Sequence, residues 1–86
     1  MDSQNRYMRA IITSMSPERA TDYIEAFGLP EKEKICIIEK DVHDLSYQQI
    51  TDKYGYSHGV IKWARRRAYA KIADAIEYRK ETGREQ

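Results

Sequence analysis

Apolar residues along this chain recur three and four positions apart, the spacing of one helix face, and the period-two alternation of a strand is scarce. Met8, Ile11, Ile12 and Met15 predict a first helix over about residues 4–14. Ala20, Tyr23, Ile24 and Phe27 repeat the spacing in a second. Ser16-Pro17-Glu18 opens that helix as N-cap, first-turn proline and an acid favoured by the helix dipole, and Gly28 closes it. Leu29-Pro30-Glu31 opens a third helix. Ile35, Ile38 and Val42 are expected on its buried side with Cys36 and Ile37 beside them, and Lys32, Lys34, Glu39 and Lys40 on its exposed face. The chain is expected to leave this helix near His43-Asp44.

Ser46 and Gln49 then form a capping-box pattern, in which each end of the first turn satisfies the other's orphan amide. The fourth helix, about 46–54, is expected to bury Ile50 and Tyr54. Gly55 follows at once and supplies the positive φ of a sharp turn, Tyr56 plugs that turn, and Ser57 caps a fifth helix running to about Arg79. Ile61, Ala64, Ala68, Ile72 and Ala75 form its inner stripe. The expected fold is all-α: a compact bundle of about five helices containing a helix-turn-helix. Residues 1–28 read as an N-terminal helical extension, 29–80 as the helix-turn-helix domain and 81–86 as a flexible tail.

The charged residues are unevenly placed. The net charge of the 86 residues is only +1. Residues 1–57 carry seven Lys or Arg against ten Asp or Glu, whereas 58–86 carry eight against four. Between 58 and 72 stand Lys62, Arg65, Arg66, Arg67 and Lys71 with no acid. Such asymmetry fits one basic face aimed at a polyanion, or a solvated helix surface.

With Ile61 at the centre of the buried face, Lys62 lies about 100° away, Arg66 about 140°, Gly59 about 160° and Trp63 about 200°. These residues face outward together. His58 stands at the exposed tip, and Arg67 flanks the far edge. Gly59 lets the helix approach a groove wall closely, and Trp63 is placed to meet a thymine methyl or a sugar, or to pack on the N-terminal helices or a dimer partner. Arg65, only about 40° from the centre, is expected to cover the core with its stem and end in a salt bridge.

The stretch from Leu29 to Ile72 resembles region 4 of bacterial sigma factors, especially the compact extracytoplasmic-function type. Leu29-Pro30, Lys32, Ile35 to Ile38, Leu45-Ser46-Tyr47, Ile50-Thr51, Gly55, Tyr56-Ser57, Gly59-Val60-Ile61-Lys62 and Arg67-Ala68 carry the likeness without a gap. Gln48 and Gln49 stand where that family usually has acids, and Thr51 where it has alanine. The resemblance implies a helix pair that reads a −35 promoter element in double-stranded DNA. It places base contact at His58, Gly59 and Lys62, with Trp63 beside them. It places phosphate contact at Ser46, Tyr47 and Gln48 and at Arg66 and Arg67. The promoter-melting region of a full sigma factor has no counterpart in residues 1–28. The chain therefore resembles a region 4-like module alone, of the kind phages and mobile elements use as regulators.

Enzymatic chemistry finds little support. Glu31, Glu33 and Glu39 read as separate surface acids, Ser46 and Ser57 as caps, and His43 and His58 share no ligand spacing. The chain is expected not to be an enzyme and to need no cofactor or metal. Cys36, the one cysteine, reads as a small buried hydrophobe. No apolar run approaches the ~20 residues of a membrane helix, so a cytoplasmic protein is expected. Other readings stay open: a protein-interaction module that grips RNA polymerase or another protein, and an RNA-associated helix-turn-helix protein or a DNA-recognition subunit of a phage packaging machine. A homodimer through Tyr69, Ile76 and Tyr78, or through Met8 and Ile12, is a further expectation.

Overall fold

The computed structural model describes the backbone of residues 3–85 and the side chains of residues 6 and 8–76. Five α-helices follow one another: α1 (Ser3–Thr13), α2 (Pro17–Glu25), α3 (Glu31–Ile37), α4 (Tyr47–Tyr54) and α5 (His58–Glu85). A π-helical turn over Ile38–Val42 continues α3. The all-α class read from the sequence holds, with no strand among the described residues.

Local chemistry explains most of the boundaries. Ser16 is extended (φ −64°, ψ 156°), and its hydroxyl accepts from the Arg19 amide at 3.4 Å, with Pro17 opening α2. Gly28 takes φ 65° in the turn that follows α2. The π turn widens the hydrogen-bond ring. The His43 amide bonds the Ile38 carbonyl at 3.0 Å, and the Leu45 amide reaches the Glu39 carbonyl at 3.0 Å. Asp44, at φ 59°, makes the left-handed exit, a conformation that Asp adopts more readily than most L-residues. The fifth helix runs on to Glu85, past the expected end at Arg79, so residues 81–85 lie in helix.

Two apolar clusters are strung along α5. In one, Ala68, Tyr69, Ile72 and Ala73 meet Met8 and Ile12 of α1, Ala20 and Ile24 of α2, Leu29, and Ile37 of α3. In the other, Ile61 and Ala64 meet Cys36 of α3 and Ile50 of α4, with Leu45, Tyr47, Tyr54 and Tyr56 around them. Each fully buried isoleucine contributes roughly 1.5–3 kcal/mol.

The core differs from expectation on α3. Cys36 and Ile37 are the fully buried pair, whereas Ile35, Ile38 and Val42 are half-buried. The segment is packed from both sides, so no single stripe defines its inside, and the π turn shifts the register after Ile38. Tyr69 is also buried in the first cluster together with Met8 and Ile12, so these three are core residues and do not form an exposed dimer face. Ile76 packs on the same cluster, and the side chain of Tyr78 lies outside the described residues.

Candidate nucleic-acid interface

The site is built around the connection from α4 to α5. The capping box forms as the spacing requires. The Ser46 hydroxyl accepts from the Gln49 amide at 3.1 Å, and the Gln49 side chain accepts from the Ser46 amide at 2.8 Å. At the other end Gly55 adopts φ 79°, and its amide bonds the Thr51 carbonyl at 2.8 Å. A Cβ at that φ is strained, so glycine fits the turn. Tyr54 and Tyr56 stack across it, ring centroids 5.8 Å apart and 11° from parallel. Ser57 then caps α5 by accepting from the Val60 amide at 3.2 Å. Ile50 and Ile61, both fully buried, fix the two helices against each other and against Cys36.

The outer side of α5 carries His58, Gly59, Lys62, Trp63, Arg66 and Arg67, all exposed. They divide into two groups. Tyr47 gathers the first. Its ring lies 5.7 Å from that of His58, the Lys62 ammonium stands 5.6 Å from its centroid, and Lys40 approaches to 5.4 Å. The Tyr47 hydroxyl accepts from Arg65 at 3.1 Å, which holds the ring in place. Ser46 and Gln48 are exposed beside it, although the Gln48 amide donates to Asp52 at 2.9 Å along its own helix. The second group is Trp63 with Arg67, whose guanidinium lies 5.0 Å from the indole centroid. Arg66 lies between the groups in angle.

Sequence reasoning did not include Lys40 in this site. It arrives from the π turn, and nothing local in the sequence signals that approach.

The largest correction concerns the acids. Glu33 and Glu39, expected on the surface, are buried, and so is Asp41. Each faces cations brought by another element. Glu33 meets Lys71 at 2.9 Å and Arg67 at 3.4 Å. Asp41 accepts two bonds from Arg65, at 2.7 and 3.0 Å, and lies 3.6 Å from Arg9. Glu39 accepts from Lys53 at 2.7 Å and from the Tyr54 hydroxyl at 2.5 Å, and it pairs with His43. The cause is geometric. Residues two apart on a helical segment point about 160–200° apart. Glu39 therefore turns toward α4 while Asp41 turns toward α1 and α5. The salt bridge expected for Arg65 is thus present, with Asp41 as its partner.

These pairings set the protonation states. Burial raises the Glu39 carboxyl, but bonds from Lys53, Tyr54 and His43 outweigh it and bring the pKa down to about 2 from 4.5. Burial alone lowers the Arg65 pKa, and the Asp41 bonds reverse this, so the guanidinium is held more firmly charged. Burial also raises the Tyr69 phenol, aided by the nearby Asp41 charge.

The depressed Glu39 value has a stability consequence of definite sign. Its contribution is complete above the unfolded pKa near 4.5 and is lost as pH falls toward 2. Because Lys53 and His43 are half exposed, screening limits the expected loss to ~1–2 kcal/mol. Urea midpoints at pH 7, 4 and 2.5 check this, with Glu39→Gln flattening the decline. Equal slopes for the two proteins contradict it.

Of the five cations between 58 and 72, Arg65, Arg67 and Lys71 are thus matched internally. Among the described residues, Lys62 and Arg66 meet no carboxylate. Among those residues no group of three His, Cys, Asp or Glu is arranged to hold a metal ion, and no helix is long and apolar enough to cross a membrane. Comparison with family models, with curated proteins and with solved structures gives no match.

Proposed function

We propose that this protein is a sequence-specific DNA-binding transcriptional regulator in which α4, the Gly55 turn and α5 act as a helix-turn-helix of the sigma region 4 kind. The observation that carries the reading is the outer face of α5. There Lys62 and Arg66 stand without a counter-charge among the described residues, beside the capped start of α4, on a helix whose opposite side is locked by Ile61, Ala64 and Arg65. In the proposed complex α5 lies in the major groove with His58, Gly59 and Lys62 at base edges, while Ser46, Tyr47 and Arg66 meet phosphates. Arg67, already shared between Glu33 and Trp63, contributes less to phosphate binding than its exposure alone suggests.

The test is fluorescence anisotropy with a duplex selected from a random library, and with a scrambled one, at several salt concentrations. Each phosphate neutralised adds roughly −0.9 to the log–log salt slope. Arg66→Ala is expected to weaken both duplexes alike and to shrink that slope by about one. Lys62→Ala is expected to cost roughly 1–3 kcal/mol on the selected duplex and much less on the scrambled one. Glu31→Gln, on the exposed side of α3, is expected to change neither.

One observation favours a second reading. Internal pairing leaves a modest basic patch around an exposed indole, which also suits a protein surface such as RNA polymerase. Variants that bind both duplexes like wild type transfer the function to that reading.

A further inference from the structure

Trp63 is the one large hydrophobic side chain that stands exposed among the described residues, at 53 % of its full area. It is also the only tryptophan in the chain. Exposing an indole leaves apolar surface in water, and here the ring is neither buried nor left free. The Arg67 guanidinium lies 5.0 Å from the indole centroid, and Arg67 is itself tied to the buried Glu33 at 3.4 Å. A buried carboxylate on α3 thus holds a guanidinium that holds the indole, so part of the rotamer freedom of Trp63 is surrendered before any partner arrives.

Two further features say what that partner is. Lys62 and Arg66, which meet no carboxylate among the described residues, share the exposed face of α5 with the ring, so a partner that covers this face carries negative charge. Side chains on a helix lean toward its N-terminus, and the position one turn before Trp63 on the same strip is Gly59. A Cβ added at Gly59 meets nothing within 4 Å, so the strip in front of the indole is bare and open. An apolar edge behind a side-chain-free strip, on a face that also carries Lys62 and Arg66, fits a polyanion that presents small apolar groups at the floor of a groove. The thymine C5-methyl in the major groove of duplex DNA is such a group.

We propose that Trp63 is a specificity-determining residue that reads a thymine methyl in the major groove, with Arg67 and Glu33 as its positioning residues. This rests on the DNA-binding reading above.

The test uses the full chain and a duplex selected from a random library. Each conserved thymine of the selected site is replaced in turn by deoxyuridine, which removes only the methyl. For the wild type, one such replacement, or two adjacent ones, is expected to weaken binding about three- to fivefold, the worth of one buried methyl. The same replacement is expected to have no effect on Trp63→Ala, which folds normally because the side chain is exposed, and a reduced effect on Trp63→Phe. Trp63 emission is expected to shift on saturation with the selected duplex. Salt-dependent binding by a Trp63→Ala variant that still distinguishes thymine from deoxyuridine overturns the inference and leaves the DNA reading intact. A selected site without a conserved thymine, or unchanged emission at saturation, does the same. Tighter binding to the single strand than to the duplex overturns it in favour of base stacking. Absence of binding to any duplex at low salt removes both proposals.

Discussion

Replacing Asp41 with alanine is expected to cost about 3–5 kcal/mol and to bring the domain close to unfolding at room temperature. The Asp41 side chain is fully occluded, and both its oxygens bond Arg65, whose own side chain is largely enclosed. Removing the carboxylate leaves a guanidinium that cannot shed its proton, enclosed beside Tyr47 and Tyr69. A chain of 86 residues has a total stability on the order of 4–13 kcal/mol, so the loss is a large part of the whole. Much of it is expected to return in the double variant Asp41→Ala with Arg65→Met, which removes the orphaned charge while keeping its stem. Urea denaturation of the single and double variants measures the coupling. A single variant within 0.3 kcal/mol of wild type, roughly the error of such cycles, shows the pair to be unimportant.

Ile61→Asp is expected to abolish cooperative folding. Ile61 is fully buried against Cys36, Ile50 and Ala64, and none of these offers a partner to a carboxylate. The variant loses ~2–3 kcal/mol of apolar burial and adds the desolvation of an unpaired charge, which together approach the stability of the domain. Ile50→Asp attacks the same contact from α4 and is expected to behave alike. Val60→Asp, one residue away and half-buried in the first turn of α5, is the control and is expected to remain folded. Circular dichroism during heating decides the matter, and a melting point for Ile61→Asp within a degree or two of wild type refutes the packing.

What the chain discloses in its sequence, and what it hides, follows from the range of the interactions. Ser16-Pro17, the Ser46/Gln49 box, Gly55 and Ser57 act over three or four residues, so each boundary they set can be read locally. The inner stripe of α5 is legible for the same reason, and the angle of Arg65 from Ile61 foretells a buried stem. The acids are different. Glu39 lies 14 residues from Lys53, Asp41 lies 24 from Arg65, and Glu33 lies 38 from Lys71. Nothing within a helical turn distinguishes these carboxylates from a solvated face, and an acid between lysines reads as exposed by default. The site inherits that blindness. The outward set from His58 to Arg67 is visible on a helical wheel, but not that Arg67 is restrained from α3, nor that Lys40 joins Lys62 at Tyr47.

The concentration of the three buried acids in the short stretch from Glu33 to Asp41 limits how this protein can be re-engineered. A graft of α4 and α5 into another scaffold leaves behind the counter-ions of Arg65, Arg67 and Lys71 and the Cys36 surface that closes over Ile50 and Ile61. The helix pair is therefore not a portable cassette. Redesign of the outward face has to work within the native frame, with positions 58, 59, 62, 63 and 66 open to randomisation and 61, 64, 65, 67, 68 and 71 held fixed. A library built on that division keeps the ion pairs of Arg65, Arg67 and Lys71 while varying the rest of the outward surface.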